Sequence, residues 1–162
     1  MKKNLDEYLF NEAVRYLGKY PATCKKIKEY LHKKIKNKKT HARAIYPEGL
    51  NKENMIDRIV ERLDGLKIIN EDHFIDSLFN YYQKSLFSIR KIKNKLFQKG
   101  FDQKAIDDFI NQKFYENPEI EIEILKKYII KKKLDNLEEL DLKKKLYQQS
   151  FSENSIFKVI KD

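Results

Sequence analysis

Apolar residues recur at intervals of three and four along almost the whole chain, the period of a helix with one buried face. Leu5, Leu9, Ala13, Tyr16, Leu17 and Tyr20 predict a first helix, which Pro21 ends. Thr23 is placed to cap a second, with Ile27, Tyr30, Leu31 and Ile35 inward. Asn51 caps a third along Met55, Ile59, Val60 and Leu63. Asn70 opens a fourth along Phe74, Ile75, Leu78, Phe79 and Tyr82, and its following Glu71 and Asp72 suit a positive helix start. Ser88 then stands where Thr23 stood, ahead of Ile92, Leu96 and Phe97, and Asp102 caps Ile106, Phe109 and Ile110. Gly65 and Gly100 read as helix terminators. Pro118, within Asn117-Pro118-Glu119, fits the first position of a seventh helix carrying Ile122, Leu125, Ile129 and Ile130. Leu137, Leu140, Leu142 and Leu146 form an eighth, and Ser152 caps a ninth. No segment alternates in the period of a strand, so the chain is expected to be all-α.

The pattern repeats. The 21 residues from Arg90 to Ile110 match those from Leu140 to Ile160, with identical pairs at Lys93/Lys143, Lys95/Lys145, Leu96/Leu146, Gln98/Gln148, Phe101/Phe151, Ile106/Ile156 and Ile110/Ile160. A third copy is split: Ile27 to Lys34 matches Ile92 to Lys99, and Gly49 to Ile59 matches Gly100 to Ile110. Between its halves lie 14 extra residues, Ile35 to Glu48, rich in Lys and Arg. The expected architecture is three tandem three-helix modules, 1–69 with a basic insert at 35–48, 70–116 and 117–162, forming an elongated curved array. Phe97, Phe101, Tyr147 and Phe151 recur at equivalent positions, as core residues do, and are expected inside.

Composition narrows the function. No run approaches 18 apolar residues, so no membrane span or membrane partner is expected, and Met1 to Glu7 turns acidic too early for a secretory signal. The single Cys24 leaves no internal disulfide and fits a reducing cytoplasm. Its neighbours Lys25 and Lys26 would favour a thiolate, but with no His beside it and no second Cys it reads as an ordinary helix residue. His32, His41 and His73 lie far apart without ligand-spaced partners, so no metal is expected. There is no Gly-rich phosphate loop and no convergent acid pair, so neither a cofactor nor catalysis is expected.

The net charge of +10 is unevenly spread. From Arg15 to Pro47 there are eleven Lys and Arg against one acid, whereas Glu48 to Arg90 holds six against eight. Such a focused positive field favours a polyanion or an acidic protein surface. The candidate contacts are Lys25, Lys26, Lys33, Lys34, Lys36, Lys38, Lys39 and Arg43 in the first module, and Arg90, Lys91, Lys93 and Lys95 in the second.

Two segments carry a family likeness. Leu66-Lys67-Ile68-Ile69-Asn70-Glu71-Asp72-His73-Phe74, followed by Ile92-Lys93-Asn94-Lys95-Leu96-Phe97-Gln98-Lys99-Gly100-Phe101, resembles the RecX family of recombination regulators. Thr23, Ile27 and Leu31 look like the corresponding first-module segment, and the likeness extends from Tyr8 to Ile160. Family members often carry Gly-Pro where this chain has Ser88-Ile89, and Arg where it has mostly Lys. The resemblance implies a non-enzymatic modulator of the recombinase RecA, and the chain is expected to act as a monomer. Such a protein binds along the groove of the RecA–single-stranded DNA filament and lowers its ATPase, strand-exchange and coprotease activities. Without the resemblance, the residues leave two other classes open. One is a duplex binder reading through Gln103, Lys104 and Gln112, against which Asp107 and Asp108 would act. The other is a protein-interaction repeat whose charge is incidental.

Overall fold

The computed structural model describes residues 4–37, 49 and 51–161, and every regular element among them is helical. These are α1 (Leu5–Leu17), α2 (Cys24–Lys36), α3 (Lys52–Gly65), α4 (Glu71–Lys84), α5 (Ile89–Gln98), α6 (Gln103–Glu116), α7 (Ile120–Lys132), α8 (Glu139–Gln148) and α9 (Glu153–Lys161). The chain divides into two compact units, Met1–Phe74 and Ile75–Asp162, with the boundary inside α4.

The predicted caps form. The side chains of Thr23, Asn51, Asn70, Ser88, Asp102 and Ser152 each accept from a backbone N–H in the first turn of α2, α3, α4, α5, α6 and α9. Each satisfies one of the amides a helix start leaves without a partner. In the first unit α1, α2 and α3 pack against one another around Leu5, Leu9, Ala13, Ile27, Leu31, Ile35, Met55, Ile56, Ile59, Val60, Leu63 and Ile69. In the second unit α5 packs on α6, and α9 packs on both α7 and α8. Its buried residues include Phe79, Ile92, Leu96, Phe101, Ile106, Ile110, Leu125, Leu146, Phe151 and Ile156.

Five helices end in the same way, and only one of them uses glycine. Lys67, Leu86, Gly100, Lys133 and Ser150 all have φ between 54° and 100°. In each case the next residue donates its N–H back across the last turn: Ile68 to Leu63, Phe87 to Tyr82, Phe101 to Leu96, Leu134 to Ile129 and Phe151 to Leu146. This is the Schellman closure, with an apolar residue beyond the turn folded back toward an apolar residue in it. Gly100 therefore terminates α5 as expected. Gly65 does not terminate α3: it is the last helical residue, and Lys67 takes the left-handed conformation.

Several inward assignments fail for reasons of helical angle. Phe97 and Tyr147 follow the buried Leu96 and Leu146 by one residue, about 100° around the helix, and are 55% and 48% exposed. Leu140 precedes Leu146 by six residues, which turns it to the far side of α8, and Leu137 lies before the helix begins. Ile130 likewise sits beside the buried Ile129 but points outward. Tyr20 lies beyond α1, which Gly18 closes, and its exposed ring leans on Tyr16. Pro118 stands in the turn before α7, not in it, because Asn117 accepts from Glu119 N–H and Ile120 N–H and so delays the helix to Ile120.

Candidate nucleic-acid and partner interface

The first turns of α2 and α5 pose an electrostatic problem. A helix start carries partial positive charge and favours acids there, yet neither helix has one in its first turn. They carry Lys25 and Lys26, and Arg90 and Lys91, instead. The missing acid comes from far along the chain. Glu71 Oε1, at the start of α4, accepts from Cys24 N–H at 2.6 Å. Glu121 Oε1, at the start of α7, accepts from Ile89 N–H at 3.2 Å. Cys24 and Ile89 are the first residues of their helices, so one device serves both. A carboxylate from a later helix thus offsets the positive charge gathered at each of the two helix starts.

Glu121 does more than Glu71. Its carboxylate is buried and also accepts from the hydroxyls of Ser152 and Ser155, so it joins the starts of α5 and α9. Glu71 acts on the Cys24 thiol as well. Partial burial, then the Glu71 carboxylate beside it, push that thiol up to about 11. Lys25 and Lys26 do not make it a thiolate; the sequence neighbours are outweighed by a carboxylate from α4.

Within the first unit the described basic residues do not form a single cluster. Lys25 and Lys26 stand at the beginning of α2, and Lys33, Lys34 and Lys36 at its end, about 15 Å away along the axis. Lys38, Lys39 and Arg43 lie outside the described residues. Lys34 is half-buried, and its ammonium meets Glu12 at 2.8 Å, which holds the Glu12 carboxyl below the usual carboxylate range. Lys26 pairs with Glu29 at 3.1 Å. On α5, Lys93 meets Asp107 at 2.8 Å, and Lys91 lies 4.5 Å over the Phe87 ring. Lys33, Lys36, Arg90 and Lys95 make no ion pair among the described residues.

Around α5 the four bases fall on two sides. Arg90 and Lys93, three residues apart, face one way, with the exposed Phe97 continuing their row. They line a cavity of about 620 Å³ in the second unit, whose lining also includes Phe114 of α6, Ile122 of α7, Tyr147 in the last turn of α8, Phe151, and Asn154 and Lys158 of α9. Tyr147, Asn154 and Lys158 escaped sequence reading. Nothing in their spacing ties them to α5, and Tyr147 resembled a core position. Among the described residues no three His, Cys, Asp or Glu side chains gather as a metal would need, and no helix is long and apolar enough to cross a membrane.

No family model matches the chain, and no curated protein matches it in sequence. Among solved structures it is similar to the crystal structure of RecX from Lactobacillus salivarius, at 18% sequence identity and a TM-score of 0.74. The similarity covers 96% of this chain and 94% of that one, so the chain has the fold of that RecX structure along essentially its whole length.

Proposed function

We propose that this protein is a non-enzymatic, cytoplasmic regulator of a RecA-type recombinase that binds the RecA–single-stranded DNA filament and lowers its ATPase, strand-exchange and coprotease activities. The observation that carries the reading is the whole-length fold similarity to RecX, with helix following helix across 96% of the chain. The segments from Leu66 to Phe74 and from Ile92 to Phe101, which resemble that family, support it independently. In this reading the chain acts as a monomer built of three modules, 1–69, 70–116 and 117–162, that binds along the filament groove. The exposed bases Lys25, Lys33, Lys36 and Arg90 and the partly exposed Lys95, with Lys38, Lys39 and Arg43 of the insert, contact phosphates and acidic protein surface. They position the chain without reading sequence. Lys26 and Lys93, in partly buried ion pairs with Glu29 and Asp107, and Lys91, beside Phe87 and Gln149, contribute by exchanging those contacts for phosphate.

The test is RecA ATPase on single-stranded DNA with substoichiometric protein over a range of salt. Inhibition is expected, with log K for the DNA-dependent part falling by roughly 0.7 per phosphate neutralised for each tenfold rise in salt. No effect at any salt refutes the regulator reading. Inhibition with a flat salt response refutes the phosphate contacts and leaves a protein-only mode.

A further inference from the structure

We infer that the cavity between α5, α8 and α9 is a binding site for single-stranded nucleic acid, with a base stacked on Tyr147 and its flanking phosphates held by Arg90 and Lys158. The inference deepens the filament reading and rests on it for the choice of polymer. Its grounds lie in the second unit alone.

Three features converge there. Tyr147 is 48% exposed, lines the cavity, and makes no ring–ring contact among the described residues, so its ring is not already committed to an aromatic partner. Base–aromatic stacking is tolerant of sequence, because every base offers a π face. Arg90, which lines the same cavity from α5, has no carboxylate partner among the described residues and carries a planar fork of donors suited to phosphate. Lys93 and Lys158 line the same space, Lys93 in a partly buried pair with Asp107 at 2.8 Å and Lys158 in an exposed pair with Glu119 at 3.3 Å, the latter a contact that a phosphate can displace.

The acids of the cavity decide the polarity of the ligand. Glu121 is turned away from it energetically, since its carboxylate is already held by Ile89 N–H, Ser152 and Ser155. Glu153, exposed in the first turn of α9, is the remaining acid of the lining, set against the three cations Arg90, Lys93 and Lys158. A volume of about 620 Å³ suits one or two unstacked nucleotides, in the range of small-ligand sites, and not a stacked duplex. An acidic peptide would satisfy the cations but would leave the Tyr147 ring without a planar partner.

The experiment is fluorescence anisotropy of a labelled oligothymidylate titrated with the full chain at low salt, without recombinase. Tyr147→Ala and Arg90→Ala are each expected to weaken binding about 5- to 20-fold. Tyr147→Phe, which keeps the ring and the fold, should stay within about twofold, as should Lys127→Ala, whose side chain lies outside the cavity. Wild-type binding that is absent, or unchanged in both alanine variants, overturns the site. So does a result in which the two variants lose an aspartate-rich peptide and keep the oligonucleotide. The outcome separates from the regulator test. Inhibition of RecA with normal oligonucleotide binding by both variants removes the cavity and leaves the regulator. Binding through Tyr147 and Arg90 without any effect on RecA does the reverse.

Discussion

Removing the Glu121 carboxylate is the sharpest test of how the second unit is held together. The side chain is 5% exposed and accepts from Ile89 N–H at 3.2 Å, from Ser155 Oγ at 2.8 Å and from Ser152 Oγ. Hydrogen bonds to a charged group contribute about 1.5–3 kcal/mol each, so three amount to roughly 4.5–9 kcal/mol before the burial of the charge itself is set against them. Releasing the carboxylate from its buried site returns several kcal/mol of desolvation, which offsets about half. Glu121→Ala is therefore expected to destabilise by about 2–4 kcal/mol. Glu121→Gln keeps one acceptor but turns an NH₂ toward a donor, and should cost about 1–2 kcal/mol. The assay is urea unfolding followed by circular dichroism, with hydrogen exchange at the Ile89 amide as the local readout. Glu123→Ala, exposed on the same helix, should stay within about 0.5 kcal/mol. If Glu121→Ala falls within that same margin, or if the Ile89 amide exchanges no faster, the carboxylate does not join α5 to α9 and the reasoning is wrong.

Leu96 and Leu146 are both fully buried at equivalent repeat positions, and either →Ala change should cost about 2–5 kcal/mol in urea unfolding, against well under about 1 kcal/mol for Lys95→Ala. Ser150 closes α8 at φ 64°, where a side chain is strained, so Ser150→Gly should stabilise by about 0.5–1 kcal/mol or shift the midpoint upward measurably; a loss would mean the hydroxyl has a partner that outweighs the backbone. The Cys24 thiol, held near 11, should react with iodoacetamide at pH 8 about 100-fold more slowly than a free cysteine near 9, with the rate still climbing between pH 9 and 11. Glu71→Gln, which removes the nearby negative charge, should speed that reaction; an unchanged rate would assign the raised value to burial alone.

Much of the fold is local, and so is legible in the chain. Thr23, Ser88, Asn51, Asp102 and Ser152 cap their helices through donors two or three residues away, which is why hydroxyl, Asn or Asp side chains at those places announced the helix starts. Periodicity found Leu31, Leu96, Leu146, Phe101 and Phe151, because a residue's turn about its own helix is set by its neighbours. It misplaced Phe97 and Tyr147, since a pattern of period 3.6 read over short helices does not separate residues one step apart at the edge of the buried arc. Gly100 announced its closure; Lys67, Leu86, Lys133 and Ser150 did not, because each is held left-handed by the hydrogen bond and apolar contact that follow it and not by its own preference.

What the amino-acid order settled by itself is the all-helical character, the caps and the recurrence of one helical unit, all consequences of interactions within a turn or two. What tertiary structure alone decided is which charges are available. Lys34 meets Glu12, 22 residues away; Cys24 meets Glu71, 47 away; Ile89 meets Glu121, 32 away. The cavity joining Arg90 to Tyr147 and Lys158 depends likewise on α5, α8 and α9 converging. Electrostatics and solvation act through space, so a lysine's neighbours in the chain say little about the carboxylate that finally stands beside it.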